Sequence, residues 1–187
     1  FNANQRPAVD VGISVSRVGG DAQPKAMKKV AGTLKLTLAQ YRSMAAFAMF
    51  ASDLDAATRR QLTRGERLME LLKQPQSTPY PLEEQVASIW TGTHGYLDDL
   101  EVTDVLAFER ALLDHLRANS GVLDEIAATG ELSAQTEEAL KEAVEGFHSQ
   151  WIIAGRGAAE LDEGEVEAER VREEITRARP GAAEAKA

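Results

Sequence analysis

One arginine in this chain stands where it could be aimed at a ligand outside its own core. β-Branched residues alternate with small or polar ones over residues 9–15, and this period of two predicts a buried strand ending just before Arg17. Gly19 and Gly20 follow, and glycine lets the backbone turn sharply there. Because a guanidinium keeps its charge and holds five donors in a fixed fork, phosphate oxygens are natural targets for it. Spacing alone favours an ordinary surface ion pair for Arg17, so both interpretations stay open here.

Two helices are predicted after this loop. The first begins near Lys25, and its apolar face carries Leu34 and Leu38 at helical spacing. The second is predicted from Ala56 to about Leu72, with Asp55 as its N-cap. Gly65 lies in its middle, where glycine costs about 1 kcal/mol relative to alanine. We therefore expect another backbone to approach the second helix closely at Gly65.

Three prolines between residues 75 and 81 interrupt the helical pattern. Further helices are predicted over residues 81–92, 104–119, 122–129 and 134 to about 151. In the helix 104–119, burial is expected for Leu106, Leu113 and Leu116, and exposure for Glu109 and Arg110. Gly130 and Ser133 are predicted to end one helix and cap the next. Amphipathic helices joined by short connectors are typical of a helical bundle.

Residues 152–187 differ in composition, being rich in Glu and Arg and poor in apolar side chains. This composition predicts either a marginal, solvent-exposed helix from Glu160 to Ala178 or a segment that is disordered until it binds a partner.

Composition excludes several classes of function. The 187 residues contain no cysteine, which rules out thiolate chemistry, and the three histidines are isolated, which argues against a metal site. No stretch approaches the roughly 20 apolar residues that a membrane span requires. The chain starts at Phe1 within a strand-like motif, so we expect it to be the C-terminal portion of a longer polypeptide.

Charge is unevenly distributed along the chain. Residues 1–73 carry 12 Lys/Arg and 6 Asp/Glu, whereas residues 74–151 carry 3 and 15. The basic part has no aromatic interleaving and no nucleic-acid motif, which argues against nucleic-acid binding. We expect the two parts to present surfaces of opposite sign to different subunits.

Four segments in order resemble the alpha subunits of F-type ATP synthases: Ser14–Gly20, Met27–Gly32, Leu38–Arg42 and Phe50–Thr58. The resemblance extends from Phe1 to about Trp151. It implies a mainly α fold, in which a C-terminal helical bundle follows the last strand of an α/β P-loop-type nucleotide-binding domain. The implied division is 1–24 for the end of the nucleotide-binding domain, 25–151 for the bundle and 152–187 for a polar C-terminal extension.

The resemblance also implies site residues. Arg17 matches the family's arginine finger, which reaches the γ-phosphate of the catalytic ATP site on the beta subunit. Ser14 matches a serine of the same interface motif, although a plain strand serine is an equal alternative. The residues that match the adenine pocket of the alpha subunit's own non-catalytic site are Phe1, Arg6, Pro7, Gln74 and Gln76.

The implied ligands are ATP or ADP with Mg²⁺. No GxxxxGK[ST] loop is present, so the phosphate-binding loop and the Mg²⁺ ligands are expected outside this region. The implied partners are beta subunits in a hexameric ring, the gamma rotor and the peripheral stalk, without nucleic acid. Contact with the membrane is expected only through partner subunits, at the cytoplasmic face of a bacterial plasma membrane.

Two alternatives stay open at this point. The chain could be a non-enzymatic helical scaffold or adaptor that shares the fold, because fold alone does not give function. It could also be a subunit of a related hexameric ATPase.

For residues 152–187 the resemblance implies a regulatory extension, since extended C-termini in some actinobacterial relatives are associated with suppressed ATP hydrolysis. A merely solubilising tail is the alternative.

Overall fold

A computed structural model describes Pro7 and residues 18–48, 55–75 and 77–177. Within these residues every regular element is a helix, which confirms the mainly α prediction, while the strand predicted over residues 9–15 lies outside them. The helices are α1 (Gly19–Ala22), α2 (Lys25–Ala48), α3 (Ala56–Leu71), α4 (Leu82–Thr93), a 3₁₀ helix (Val102–Asp104), α5 (Val105–Asn119), α6 (Val122–Thr129) and α7 (Ala134–Arg177). No helix in the described ranges combines the length and apolar character needed to cross a bilayer.

The chain divides into two compact units, residues 1–147 and residues 148–187. In the first unit α4 lies at the centre and contacts α2, α3, α5 and α6. The largest fully buried side chains of this unit are almost all aliphatic: Leu38, Leu68, Val86, Leu97, Val105, Phe108, Leu112, Leu113, Leu116, Ile126, Leu140 and Val144. Burying each such side chain contributes roughly 1.5–3 kcal/mol, so the bundle is held chiefly by this apolar core.

Several predicted helix ends are confirmed. The Asp55 carboxylate accepts hydrogen bonds from the backbone N–H groups of Ala57 and Thr58, both at 2.9 Å. Ser133 Oγ accepts from the backbone N–H of Thr136 at 3.0 Å. Gly130 ends α6 with φ of +65°, a left-handed conformation that glycine adopts without strain. Such caps typically stabilise a helix by about 1 kcal/mol each.

Two sequence predictions about the helices α3 and α7 require correction. The last helix was predicted to end near Trp151, but α7 continues through Gly155 and Gly157 to Arg177. Each glycine costs a helix only about 1 kcal/mol, and no proline follows until residue 180. At Gly65 the close neighbour is a side chain, since a Cβ atom there would lie 2.3 Å from Cγ of Tyr41. The ring of Tyr41 in α2, and not another backbone, therefore requires glycine in α3.

Candidate functional site

Most of the predicted site residues lie outside the described part of the chain. These are Arg17, Ser14, Phe1, Arg6 and Gln76. Pro7 is described and exposed, and Gln74 is described and half-buried. The candidate site is therefore built around Gln74 and the segment of residues 72–81 that joins α3 to α4, called the α3–α4 loop below.

Gln74 lines a cavity of about 250 Å³. The other lining residues come from the end of α3, the α3–α4 loop and α5, and they are Glu70, Lys73, Pro75, Tyr80, Leu106 and Arg110. Typical small-molecule pockets measure roughly 300–1,000 Å³, so the part of the cavity that described residues line is just below this range and large enough for one ring.

The lining of the cavity is largely uncharged in effect. Lys73 Nζ lies 2.5 Å from the Glu70 carboxylate, and both side chains are mostly buried, so this pair is internally neutralised. Hydrogen-bonding groups come from the amide of Gln74 and the phenol of Tyr80. The ring of Pro75 adds flat apolar surface beside them. Arg110, which is exposed, adds a positive charge at the edge of this lining. Such a lining suits a neutral, planar, hydrogen-bonding ring better than a phosphate.

Tyr80 connects the cavity to the interior of the bundle. Its backbone carbonyl accepts a hydrogen bond from Gln85 Nε2 at 2.6 Å, which ties the loop to the first turns of α4. Its hydroxyl lies 3.4 Å from the carboxylate of Glu109, a long hydrogen bond to α5. Burial raises the pKa of the Tyr80 phenol, and the nearby Glu109 charge raises it further.

Glu109 is the largest departure from the sequence prediction in this region. It was predicted to be exposed, like Arg110, but its side chain is only 3% exposed. Its carboxylate accepts a short hydrogen bond from Ser88 Oγ of α4 as well as the longer one from Tyr80. Burial raises the pKa of the Glu109 carboxyl above its ordinary value, and these two hydrogen bonds oppose that shift.

Sequence reasoning missed Tyr80 and Glu109, although a signal for Glu109 was present. Val105, Glu109, Leu112 and Leu116 follow one another at steps of four, three and four, so they share one face of α5. The other three residues of that set are buried. A charged residue inside a buried stripe at helical spacing is the pattern that indicates a buried carboxylate. No comparable signal in the sequence singles out Tyr80.

Comparison with known proteins identifies the family. Residues 23–147 match the family described as ATP synthase alpha/beta chain, C terminal domain. The chain belongs to this family. The family predicted from the sequence motifs is thereby confirmed, and the matched residues include the α3–α4 loop and all of α5.

Individual relatives are alpha subunits of ATP synthases. The chain is 62% identical over 186 residues to ATP synthase subunit alpha of Beutenbergia cavernae, covering 97% of this chain and 34% of the relative. It is 61% identical over 180 residues to the subunit of Renibacterium salmoninarum, covering 91% and 33%. For Kocuria rhizophila the identity is 72% over 144 residues, covering 77% and 27%. The chain thus spans about a third of the length of the curated relatives it matches.

Proposed function

We propose that this chain acts as the C-terminal region of an ATP synthase alpha subunit, in a complex that couples ATP synthesis or hydrolysis to ion transport. The observation that carries the proposal is the identity of 61–72% with alpha subunits of three bacteria. The division into residues 1–24, 25–151 and 152–187 is part of the proposal. So is the place of the complex, at the cytoplasmic face of a bacterial plasma membrane and attached through partner subunits.

The first proposed role is contact with adenine at the subunit's own non-catalytic site. Gln74 supports this role because it lines a cavity with room for one ring, beside Pro75 and Tyr80. A carboxamide both donates and accepts, as the edge of adenine requires. Phe1, Arg6, Pro7 and Gln76 complete the proposed pocket. The bound nucleotide, ATP or ADP with Mg²⁺, would take its phosphate and metal contacts from residues upstream of this region.

The second proposed role is an arginine finger. Arg17, with Ser14 in the same motif, would reach across the interface to the catalytic site of a neighbouring beta subunit. Phosphoryl transfer spreads negative charge over the equatorial oxygens, and an arginine supplied in trans is worth roughly 10³–10⁵ in rate. That factor corresponds to about 4–7 kcal/mol of transition-state stabilisation. The remaining proposed partners are the gamma rotor and the peripheral stalk.

Steady-state ATP hydrolysis by the assembled catalytic head tests this proposal with the variant Arg17→Lys. Lysine keeps the charge but loses the planar fork, so we expect turnover to fall by at least 10²-fold with nucleotide binding largely kept. Arg60→Lys is the matched control, because Arg60 is an exposed arginine on α3 whose Nε donates only to the Ala56 carbonyl at 3.3 Å among its described contacts. Turnover of Arg17→Lys within threefold of the control would remove Arg17 from the catalytic role.

A further inference from the structure

We propose that Glu109 is a positioning residue for the non-catalytic nucleotide site, holding Tyr80 and thereby the α3–α4 loop that carries Gln74. The inference rests on the adenine site proposed above and adds to it a residue that lies on a different helix. The observation behind it is that the Glu109 carboxylate is buried against the hydroxyl groups of Ser88 and Tyr80, at the end of that loop nearest α4.

Glu109 connects three separate parts of the bundle. Its Oε1 accepts from Ser88 in α4, its Oε2 faces the hydroxyl of Tyr80 in the loop, and its own backbone belongs to α5. A leucine at this position would complete the apolar face of α5 without the cost of burying a charge. What the carboxylate adds is two acceptor oxygens, one directed at each hydroxyl group.

Tyr80 passes this restraint on to the cavity. It lines the cavity beside Gln74, and its neighbours Pro79 and Pro81 have restricted backbone freedom. Ser77 in the same loop adopts φ of +61°, an uncommon left-handed conformation for a residue other than glycine. The Gln85 hydrogen bond and Glu109 therefore hold the Tyr80 end of the loop, at the wall of the cavity that Gln74 also lines.

The groups that face Glu109 contribute charge of both signs. Arg110 favours the ionised carboxylate and Glu84 opposes it. Neither Arg110 nor Glu84 makes a described hydrogen bond to Glu109, whereas the hydroxyl groups of Tyr80 and Ser88 do. The restraint on Tyr80 therefore requires a hydrogen-bonding group at position 109, and an amide can replace the carboxylate.

The test measures nucleotide affinity in the assembled head with the full-length subunit, using 2-azido-ATP photolabelling and recording the label on this chain separately from the label on the partner subunit. We expect Glu109→Leu to weaken labelling of this chain about tenfold and Tyr80→Phe about threefold. The double variant should be no weaker than Glu109→Leu alone, because both changes break one connection. Glu109→Gln should stay within twofold of the unmodified protein, since its amide oxygen can accept from Ser88 and its N–H can donate to Tyr80.

Asp98→Asn is the matched control. Asp98 accepts from Arg64 at 2.6 and 3.2 Å, so this variant also turns a hydrogen-bonded carboxylate into an amide, but at a place that does not line the cavity. Labelling should be unchanged in it. If Glu109→Leu does not assemble, Tyr80→Phe alone decides, because it removes a single oxygen atom.

The outcomes separate this inference from the function on which it rests. Unchanged labelling in Tyr80→Phe, or equal losses in Glu109→Gln and Glu109→Leu, would overturn the positioning role. Gln74→Ala should weaken labelling of this chain whether or not Glu109 acts through Tyr80. If Gln74→Ala leaves labelling unchanged, the proposed adenine site fails, and the inference fails with it.

Discussion

Two buried glutamates in facing helices are accommodated in different ways. Glu84 of α4 is 6% exposed, and its carboxylate accepts from Arg117 of α5 at 2.7 Å. Glu109 of α5 is 3% exposed, and its described hydrogen-bond partners are the neutral hydroxyls of Ser88 and Tyr80. The same two helices thus bury one carboxylate against a guanidinium and the other against hydroxyl groups.

The difference shows what each carboxylate contributes. An ion pair with a half-exposed arginine offsets the cost of burying Glu84 and joins α4 to α5. Two neutral donors compensate a buried charge less well, which is why burial dominates the raised pKa of Glu109. Glu84 is accordingly a structural contact, whereas Glu109 costs stability and is explained better by its effect on the loop.

Among these variants, the largest loss of stability is expected from removing the guanidinium of Arg117, the partner of Glu84. Arg117→Ala leaves the Glu84 carboxylate buried without its partner, which should destabilise the chain by about 2 kcal/mol. This figure lies between the 0–1 kcal/mol of exposed pairs and the 3–5 kcal/mol of fully buried ones, because Arg117 is half exposed. Chemical denaturation measures it. Asp114→Ala, which removes the other and exposed partner of Arg117, is the control and should cost less than 0.5 kcal/mol. Equal losses in both would show that Glu84 does not depend on the pair.

A pH-dependent effect of intermediate size is expected at Glu109. Because the folded-state pKa is raised, the folded state holds a proton that the unfolded state releases, and stability decreases as pH rises from the unfolded pKa through the folded one. Glu109→Gln removes this titration. At a pH above the folded-state pKa of Glu109, the variant should therefore be more stable to unfolding than the unmodified chain, by up to about 1 kcal/mol. Denaturation midpoints between pH 4 and 8 measure the difference. A difference that is constant with pH would contradict the raised pKa.

The smallest effect is expected from Tyr80→Phe. Its hydroxyl makes a long hydrogen bond at 3.4 Å, so its loss should cost only about 0.5 kcal/mol. The pKa of Glu109 should rise further in this variant, because one of the two opposing hydrogen bonds is gone. When the free energy of unfolding of Tyr80→Phe is measured against pH, its decrease with rising pH should continue to a higher pH than in the unmodified chain. An identical profile in both proteins would show that Tyr80 does not bond to the carboxylate.

Sequence predicted the parts of the fold that depend on local chemistry. Asp55, Gly130 and Ser133 act at their helix ends as expected, because caps are set by one side chain and its nearest backbone groups. The helical spacing of leucines likewise identified part of the core, including Leu34 and Leu38, which are buried as predicted. By contrast, the clash that Gly65 avoids comes from Tyr41, on another helix, and no local pattern shows which atoms will meet there.

The candidate site was predicted less completely. Gln74 was predicted as a site residue only through resemblance to a family, since a Gln-Pro-Gln segment is by itself an ordinary loop. Glu109 was judged by its residue type, which is usually exposed, although its helical position placed it with Val105 and Leu112. Position in the periodic pattern was the better guide here. The contact of Tyr80 with Glu109 joins residues 29 positions apart, which periodicity within one helix cannot reveal.

A structure of the assembled catalytic head with nucleotide bound at all sites, determined by electron cryomicroscopy, tests the central claim most directly. We predict a guanidinium nitrogen of Arg17 within about 3 Å of a γ-phosphate oxygen held by the neighbouring subunit. In the same structure the amide of Gln74 should lie beside the adenine ring of the nucleotide bound by this chain's own subunit. An Arg17 side chain paired with a carboxylate of its own chain, and a Gln74 remote from any base, would contradict the account.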